Sequence, residues 1–129
     1  MSSHRSRLCA ASIDVPREAY DADTRFWSGV TQRTPEVDAD DPDYSSFGTM
    51  APGVEVFVQS VGDPAPRIHL DIETDDIEAE VARLVGLGAT VVDRIHTWVV
   101  MRDPVGITFC VVRVQNAEAF DAHARTWTT

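Results

Sequence analysis

The chain has 129 residues, a length typical of one domain with a single hydrophobic core. Its 21 acidic residues outnumber its 11 basic ones, which are all arginine, and the formal net charge is −10. The absence of lysine excludes Schiff-base chemistry, pyridoxal attachment and the phosphate-binding loop, because each needs a lysine amine. The acidic balance argues against nucleic acid binding, which relies on cations that neutralise phosphates.

The cysteine content and the apolar segments indicate the cellular compartment of the protein. Two cysteines, Cys9 and Cys110, are too few for a disulfide framework and favour a reducing compartment. No segment reaches the roughly 18 apolar residues that a membrane helix needs. The N-terminus carries charge without the apolar stretch of a signal peptide. These features together predict a cytoplasmic protein with no membrane partner.

The first half of the chain predicts a strand, a helix, a loop and a second strand. The apolar run from Leu8 to Val15 predicts the first strand. Pro16 opens the helix, and Gly29 is predicted to end it as the left-handed residue after the last turn. An acidic loop covers Pro35 to Tyr44, and the β-branched run from Val54 to Val61 predicts the second strand.

The second half begins with a strand from Arg67 to Thr74, whose residues alternate between apolar and ionisable. The face predicted to pack on a helix carries Ile68, Leu70 and Ile72, and the opposite face carries His69, Asp71 and Glu73. Asp75 stands three residues before Glu78, a spacing typical of a capping box at a helix start. Gly88 is predicted to end that helix.

The remainder of the second half predicts three short strands, over residues 89–92, 97–101 and 108–114. Asp103 to Gly106 supplies a turn between the last two strands. Asn116 is a predicted N-cap for a short terminal helix over residues 116–127.

Both halves share an order of elements and a spacing. Sixteen residues separate Ile13 from Gly29, and sixteen separate Ile72 from Gly88. We therefore predict one α+β domain built from tandem βαβββ modules that form a curved mixed sheet around a cleft. Module one covers residues 8–62, module two covers 67–114, the boundary lies near Pro64–Pro66, and 115–129 form an extension.

Several segments resemble the vicinal oxygen chelate superfamily, in its glyoxalase-like domain branch. The resemblance spans roughly residues 8–114 and is carried by Ile13-Asp14, Phe26-Trp27, Pro42 to Tyr44, Arg67 to Ile72, Leu87 to Ala89, Trp98 to Met101 and Asp103 to Val112. It implies the glyoxalase, bleomycin resistance and dioxygenase fold, and it implies a homodimer. One fold of this kind hosts many chemistries, so the reaction does not follow from it.

The resemblance also implies four metal-ligand positions, one on each of four strands. They fall on Ala10, Gln59, His69 and Cys110, of which His69 alone matches the family's ligand type. A hard divalent metal is poorly held without carboxylate ligands, so we predict no cofactor. A zinc site of Gln59, His69 and Cys110 stays open as an alternative, because a thiolate would supply charge.

The candidate site residues follow from the predicted cleft-facing strands. The catalytic candidates are His69, Asp71 and Glu73, since an imidazole beside carboxylates suits acid–base chemistry. The candidates for ligand binding are Asp14, Gln59, Phe57, Trp98 and Cys110. A structural histidine, carboxylates paired with arginines and an inert buried cysteine are the alternative interpretation.

Three functions remain open from the sequence, each with a small molecule as partner. The first is binding of a small organic molecule without the usual metal. The second is a lyase or isomerase that uses His69 with Asp71 or Glu73 as acid and base. The third is sequestration of a cationic antibiotic, which acidic charge attracts.

Overall fold

The helices and strands are taken from a computed structural model, which describes residues 2–51, 53–63 and 65–128. Pro64, at the predicted module boundary, lies outside the described residues. The strands are β1 Ser3–Pro16, β2 Glu36–Val37, β3 Tyr44–Ala51, β4 Val54–Val61, β5 Arg67–Thr74, β6 Thr90–Ile95, β7 Trp98–Arg102, β8 Thr108–Arg113 and β9 Arg125–Thr128. The α-helices are α1 Tyr20–Thr31, α2 Ile77–Gly86 and α3 Ala117–His123.

The chain divides into two compact units. The internal unit is Ala10–His69, and the terminal unit combines Met1–Cys9 with Leu70–Thr129. Strands β1 and β5 each run through both units. Both β1-α1-β2-β3-β4 and β5-α2-β6-β7-β8 have the predicted βαβββ order. These elements do not fix where each module begins and ends, so the limits of residues 8–62 and 67–114 remain a prediction.

The internal unit is a sheet with α1 packed on one face. Its strand order is β2-β3-β4-β1, in which β1 and β4 run parallel and the other pairs run antiparallel. Val15, Phe47 and Val58 pack under Tyr20 of α1 and form the buried core. The Tyr20 hydroxyl hydrogen-bonds the buried Ser45 hydroxyl, so a polar pair joins the helix to β3.

Helix α1 differs from its prediction at both ends. A single 3-10 turn follows Pro16, and the α-helix begins at Tyr20 and continues to Thr31. Gly29 therefore lies inside the helix, and Gln32 takes the left-handed conformation with a φ of 56°. The predicted end was wrong because helical hydrogen bonding continues past a glycine that needs no special backbone angle.

Strand β2 lies inside the predicted loop, and β3 begins at the last residue of that loop and continues to Ala51. Pro35 to Tyr44 was predicted as irregular, yet Glu36–Val37 pairs antiparallel with Ser45 and Ser46 of β3. Strand β3 itself escaped prediction because its core-facing positions include the polar residue Ser45. The predicted strand over Val54 to Val61 is confirmed at both ends.

The terminal unit packs α2 on a sheet of order β5-β8-β7-β6. Strands β5 and β8 are parallel, and the other two pairs are antiparallel. Its core lies between α2 and the strands and consists of Val81, Leu84, Ala89, Val99, Met101 and Val111. The predicted strand over Arg67 to Thr74 is confirmed.

The ends of α2 confirm one prediction and correct another. Asp76, not Asp75, is the N-cap, and its side chain accepts a hydrogen bond from the Ala79 amide. Asp75 instead binds the guanidinium of Arg5. Gly88 follows the helix with a φ of +110°, so the helix ends at the glycine predicted to end it.

Strand β5 buries less of its apolar face than its alternation predicts. Ile72 packs against the α2 core, as expected. Ile68 and Leu70 are exposed, so their predicted packing on the helix is wrong. The helix covers only the end of the strand that lies nearest to it in sequence.

The C-terminal extension is a short helix followed by a strand, not one helix over residues 116–127. Asn116 caps α3 as predicted, with its side chain accepting from the Ala119 amide. Strand β9 then pairs antiparallel with Ser3 to Ser6 of β1. Among the described residues, no helix has the length and apolar character required to cross a bilayer.

Candidate functional site

Helix α1 packs on one face of the internal unit, and the opposite face of the sheet carries several predicted site residues. Strand register places Ser12 beside Phe57 and Asp14 beside Gln59. Tyr44 of β3 lies on the other side of Gln59. Since partners across a ladder share a face, these side chains point away from α1. We call this surface the open face of the internal unit because α1 does not cover it, although Ser12, Asp14 and Phe57 on it are buried.

Asp14 is the buried carboxylate of the open face, with 1 % of its surface exposed. Its Oδ1 atom accepts a hydrogen bond of 2.6 Å from the Ser12 hydroxyl. Its Oδ2 atom lies 2.5 Å from Nδ1 of His69. A buried carboxylate held in this way fixes the orientation of the imidazole and favours a proton on Nδ1. The structure thus brings together two predicted site residues that are 55 positions apart.

Arg67 stands two residues before His69 on β5 and shares its face. Its Nε atom is 3.6 Å from the same Asp14 oxygen, and its Nη1 atom donates 2.6 Å to Asp63. The amide of Ala65 and the Arg67 guanidinium hold the pKa of Asp63 below its usual value. Arg67 is therefore neutralised by two carboxylates, and it adds no net positive charge to this face.

A second carboxylate, Glu55, lies further along the open face on β4. The Ser46 hydroxyl donates to its Oε2 atom, and the Tyr44 hydroxyl donates 3.3 Å to its Oε1 atom. The ring of Tyr44 lies against Phe57 with centroids 4.4 Å apart. Glu55 and an aromatic pair therefore extend the open face beyond the His69 end.

The terminal unit also has a sheet face turned away from its helix. Val99, Met101 and Val111 point into the α2 core, so the alternating residues Trp98 and Cys110 lie on the opposite face. Asp71 is the register partner of Cys110, and the ligand atoms of these two residues lie within 4.8 Å of each other. The rings of Trp98 and His96 pack against each other with their centroids 5.9 Å apart.

Glu73, a predicted catalytic residue, is fully buried and bound within the terminal unit. Its Oε1 atom accepts a hydrogen bond of 2.6 Å from Nε of Arg7. Its Oε2 atom accepts from the backbone amides of Gln115, at 2.7 Å, and Asn116. This carboxylate anchors the start of the C-terminal extension.

The two cysteines are both free thiols, and they differ in their surroundings. Cys9 is buried, and burial together with the carboxylates of Glu73 and Asp71 raises its pKa to about 12. A thiol with so high a pKa is protonated at neutral pH and is a weak nucleophile. Cys110 is half-buried and lies on the same sheet face as Asp71.

The metal positions implied by the family resemblance carry few suitable ligand atoms. Ala10 is buried and has no donor atom. Gln59 offers a neutral amide, and Nδ1 of His69 is engaged by Asp14. These residues do not fit a divalent ion that needs anionic oxygen ligands. His69 and Asp71 stand two residues apart on β5. The zinc alternative, in which Gln59, His69 and Cys110 are the ligands, remains a prediction.

The fold resembles several solved structures. A protein titled as an NAD-dependent benzaldehyde dehydrogenase from Legionella pneumophila aligns with a TM-score of 0.63 at 10% identity, over 82% of this chain and 98% of that one. A Streptomyces coelicolor methylmalonyl-CoA epimerase gives 0.56 at 15% identity, over 85% and 98%. The Mycobacterium tuberculosis methylmalonyl-CoA epimerase gives 0.50 at 17% identity, over 87% and 90%. Such low identities show a common fold only.

The tandem βαβββ architecture defines the class as an α+β protein of the vicinal oxygen chelate fold, which confirms the predicted fold class. A model of the glyoxalase-like domain family matches residues 11–112. The chain therefore belongs to the glyoxalase-like domain family. A comparison with curated proteins gives no significant match.

The sequence analysis named His69 and Asp14 as candidates, but it did not predict the contact between them or the position of Glu55 on the same face. Ser46 and Glu55 went unnoticed because β3 was not predicted. The Tyr44-Ser-Ser-Phe47 segment offers no period-two signal, because its two aromatic residues are three positions apart and lie on opposite faces of β3.

Proposed function

We propose that the protein binds a small organic molecule on the open face of the internal unit and that His69 transfers a proton to or from it. The observation that carries this proposal is the 2.5 Å contact between Nδ1 of His69 and the buried Oδ2 of Asp14. This arrangement corresponds to an isomerase or lyase that works by acid–base catalysis. It adds Asp14 as a partner of His69, while the roles of Asp71 and Glu73 as acid or base remain predictions.

The chemistry follows from the imidazole tautomer. When Nδ1–H donates to Asp14, the neutral ring carries its lone pair on Nε2, which is the atom that accepts a proton. The charged imidazolium formed in that step is stabilised by the Asp14 carboxylate beside it. Ser12 keeps Asp14 in place because its hydroxyl occupies the other carboxylate oxygen. Asp14 and Ser12 are therefore positioning residues.

The proposal includes no divalent metal. Ala10 and Gln59 do not complete a ligand set, so the proton step is assigned to side chains of the chain itself. Substrate activation then comes from hydrogen bonding and from the low exposure of the site, with 11 % of the His69 side chain accessible to solvent.

Hydrogen–deuterium exchange at carbon tests the proposal even while the product is unidentified. The protein is incubated in D2O with a panel of small neutral carbonyl compounds, and deuterium incorporation next to the carbonyl is followed by NMR. We expect accelerated exchange for at least one compound, and we expect His69→Gln to lower that rate about 100-fold.

His96→Gln is the matched control, because His96 is an exposed histidine of the terminal unit. Its exchange rates should equal those of the unchanged protein. The proposal would be contradicted if His69→Gln exchanged at the same rate as the unchanged protein, or if no member of the panel showed accelerated exchange.

A further inference from the structure

We infer that Glu55 is the anchor for a protonated amine, so that the ligand of the open face is a small alkylamine that carries an apolar body such as an aromatic ring. This inference rests on the proposed function, because it names the class of molecule that this face binds. Two features of the structure support it: the surroundings of the Glu55 carboxylate and the balance of charge in the internal unit.

Glu55 is a half-buried carboxylate bonded to neutral groups. The Ser46 and Tyr44 hydroxyls each donate one hydrogen bond to it. Across the described ranges 2–51, 53–63 and 65–128, no arginine or histidine is seen to form an ion pair with Glu55. A carboxylate has about four acceptor sites, so two hydroxyl donors leave capacity for a further donor. An ammonium group supplies both a donor and the missing positive charge.

The residues beside Glu55 suit an organic cation. Ala10 is its register partner on β1 and presents only a methyl group. Phe57, two residues further along β4, is buried against the ring of Tyr44, so the half-buried Tyr44 ring is the aromatic surface beside Glu55. An aromatic surface next to a carboxylate is a common arrangement for binding ammonium groups that carry apolar substituents.

The charge of the internal unit disfavours an anionic ligand. Between Ala10 and His69 there are eleven carboxylates and four arginines. Arg17 pairs with Asp43, and Arg67 pairs with Asp63 and with Asp14. Arg33 donates to the Phe47 and Thr49 carbonyls. An anion would enter a field that is already negative, whereas a cation is attracted by it.

The spacing of the two carboxylates sets the length of the ligand. Glu55 and Gln59 are four residues apart on β4, which is about 13 Å along an extended strand. Gln59 is level with Asp14, the partner of His69. A ligand with its ammonium at Glu55 therefore reaches His69 through an aromatic or aliphatic body that lies along Tyr44.

Three probes of equal shape and different charge test this inference. Phenylbutylamine, phenylbutanol and phenylbutyrate are titrated into the full chain at neutral pH, and binding is followed by calorimetry and NMR. We expect the amine to bind about tenfold more tightly than the alcohol and the carboxylate to bind most weakly. The comparison of probes on the unchanged protein does not depend on any variant folding.

Two variants then locate the preference. Glu55→Gln should reduce the amine-to-alcohol ratio to about one, while Asp40→Asn, which removes an exposed acid from the same unit, should keep it.

Some outcomes would overturn the inference. They are equal affinities for amine and alcohol, tightest binding of the carboxylate, no binding of any probe at about 10 mM, or a preference that survives Glu55→Gln. Each of these leaves the exchange test of His69 unaffected, so the two proposals fail separately.

Discussion

Nδ1 of His69 lies 2.5 Å from Oδ2 of Asp14, a carboxylate that is almost wholly buried and that also accepts a hydrogen bond from Ser12. The two residues belong to different strands, β5 and β1, and lie in the same unit of the structure. A carboxylate so placed determines which ring nitrogen carries the proton. This relationship gives the first testable prediction.

Asp14→Asn is expected to change the tautomer of the His69 ring. An amide can present its NH2 group to Nδ1, which favours a proton on Nε2 instead. Nitrogen chemical shifts of the imidazole, recorded by long-range NMR correlation, distinguish the two tautomers. Asp63→Asn serves as the control, since Asp63 contacts Arg67 and not the ring. An unchanged pattern of shifts in Asp14→Asn would show that Asp14 does not set the tautomer.

The sequence predicted some parts of this site well and others not at all. Strand β5 and the position of His69 on it follow from regular alternation, which is a local property. The partner of His69 does not, because a contact over 55 residues depends on how β1 and β5 are arranged. Strand β3 was hidden because Ser45, a polar residue, faces the core and is satisfied there by Tyr20. The pattern of apolar residues in a sequence does not report a hydrogen bond between two buried polar groups, so this contact could not be predicted from it.

Gly29→Ala is expected to stabilise the protein by about 1 kcal/mol. Gly29 lies inside α1, and an added Cβ would meet nothing within 4 Å. Gly88→Ala is the contrasting variant, because Gly88 has a φ of +110° and its added Cβ would lie 3.2 Å from Cγ of Pro104. Urea denaturation should show opposite signs for the two changes. A loss of stability in Gly29→Ala would restore the interpretation of Gly29 as a helix-ending residue.

Glu73→Gln is expected to loosen the C-terminal extension. The charged oxygens of Glu73 bind Arg7 and the amides of Gln115 and Asn116, and an amide retains only one acceptor oxygen. We expect the unfolding free energy to fall by about 2–3 kcal/mol. Hydrogen exchange should accelerate in α3 and β9.

Glu118→Gln is the control for this variant, because Glu118 is an exposed residue in the first turn of α3. Its stability and exchange pattern should match those of the unchanged protein. Normal protection of α3 and β9 in Glu73→Gln would show that other contacts hold the extension, such as the hydrogen bond from Trp127 to Ser6.

Elemental analysis is expected to show no stoichiometric zinc, nickel, manganese or iron in purified protein. The reason is the donor set, in which Ala10 has no ligand atom and Gln59 is neutral. Treatment with a chelator should therefore leave thermal stability unchanged. One zinc per chain, lost in both His69→Ala and Cys110→Ala, would contradict this prediction and establish the zinc alternative.

Glu80 is expected to make stability depend on pH in the acid range. This residue of α2 is fully buried, with Oε1 2.8 Å from Nε2 of His4 and hydrogen bonds from Arg83 to both oxygens. Burial alone would raise the pKa of Glu80, but the hydrogen bonds from Arg83 and His4 outweigh it and hold the pKa below the usual 4.5. A carboxyl whose pKa falls on folding adds stability above its unfolded pKa. That stability is lost as the pH falls through the lower, folded value.

Urea denaturation of the unchanged protein and of Glu80→Gln, between about pH 7 and pH 3, measures this contribution. The unfolding free energies should differ by about 2–3 kcal/mol at neutral pH and converge as Glu80 becomes protonated. Glu78→Gln is the control, since the pair of Glu78 with Arg94 is exposed and is expected to contribute about 0.5 kcal/mol or less. Asp63 and Asp75 also have lowered pKa values, but they titrate alike in both proteins and cancel from the difference. A gap that stays constant over this range would mean that Glu80 acts by packing and not by charge.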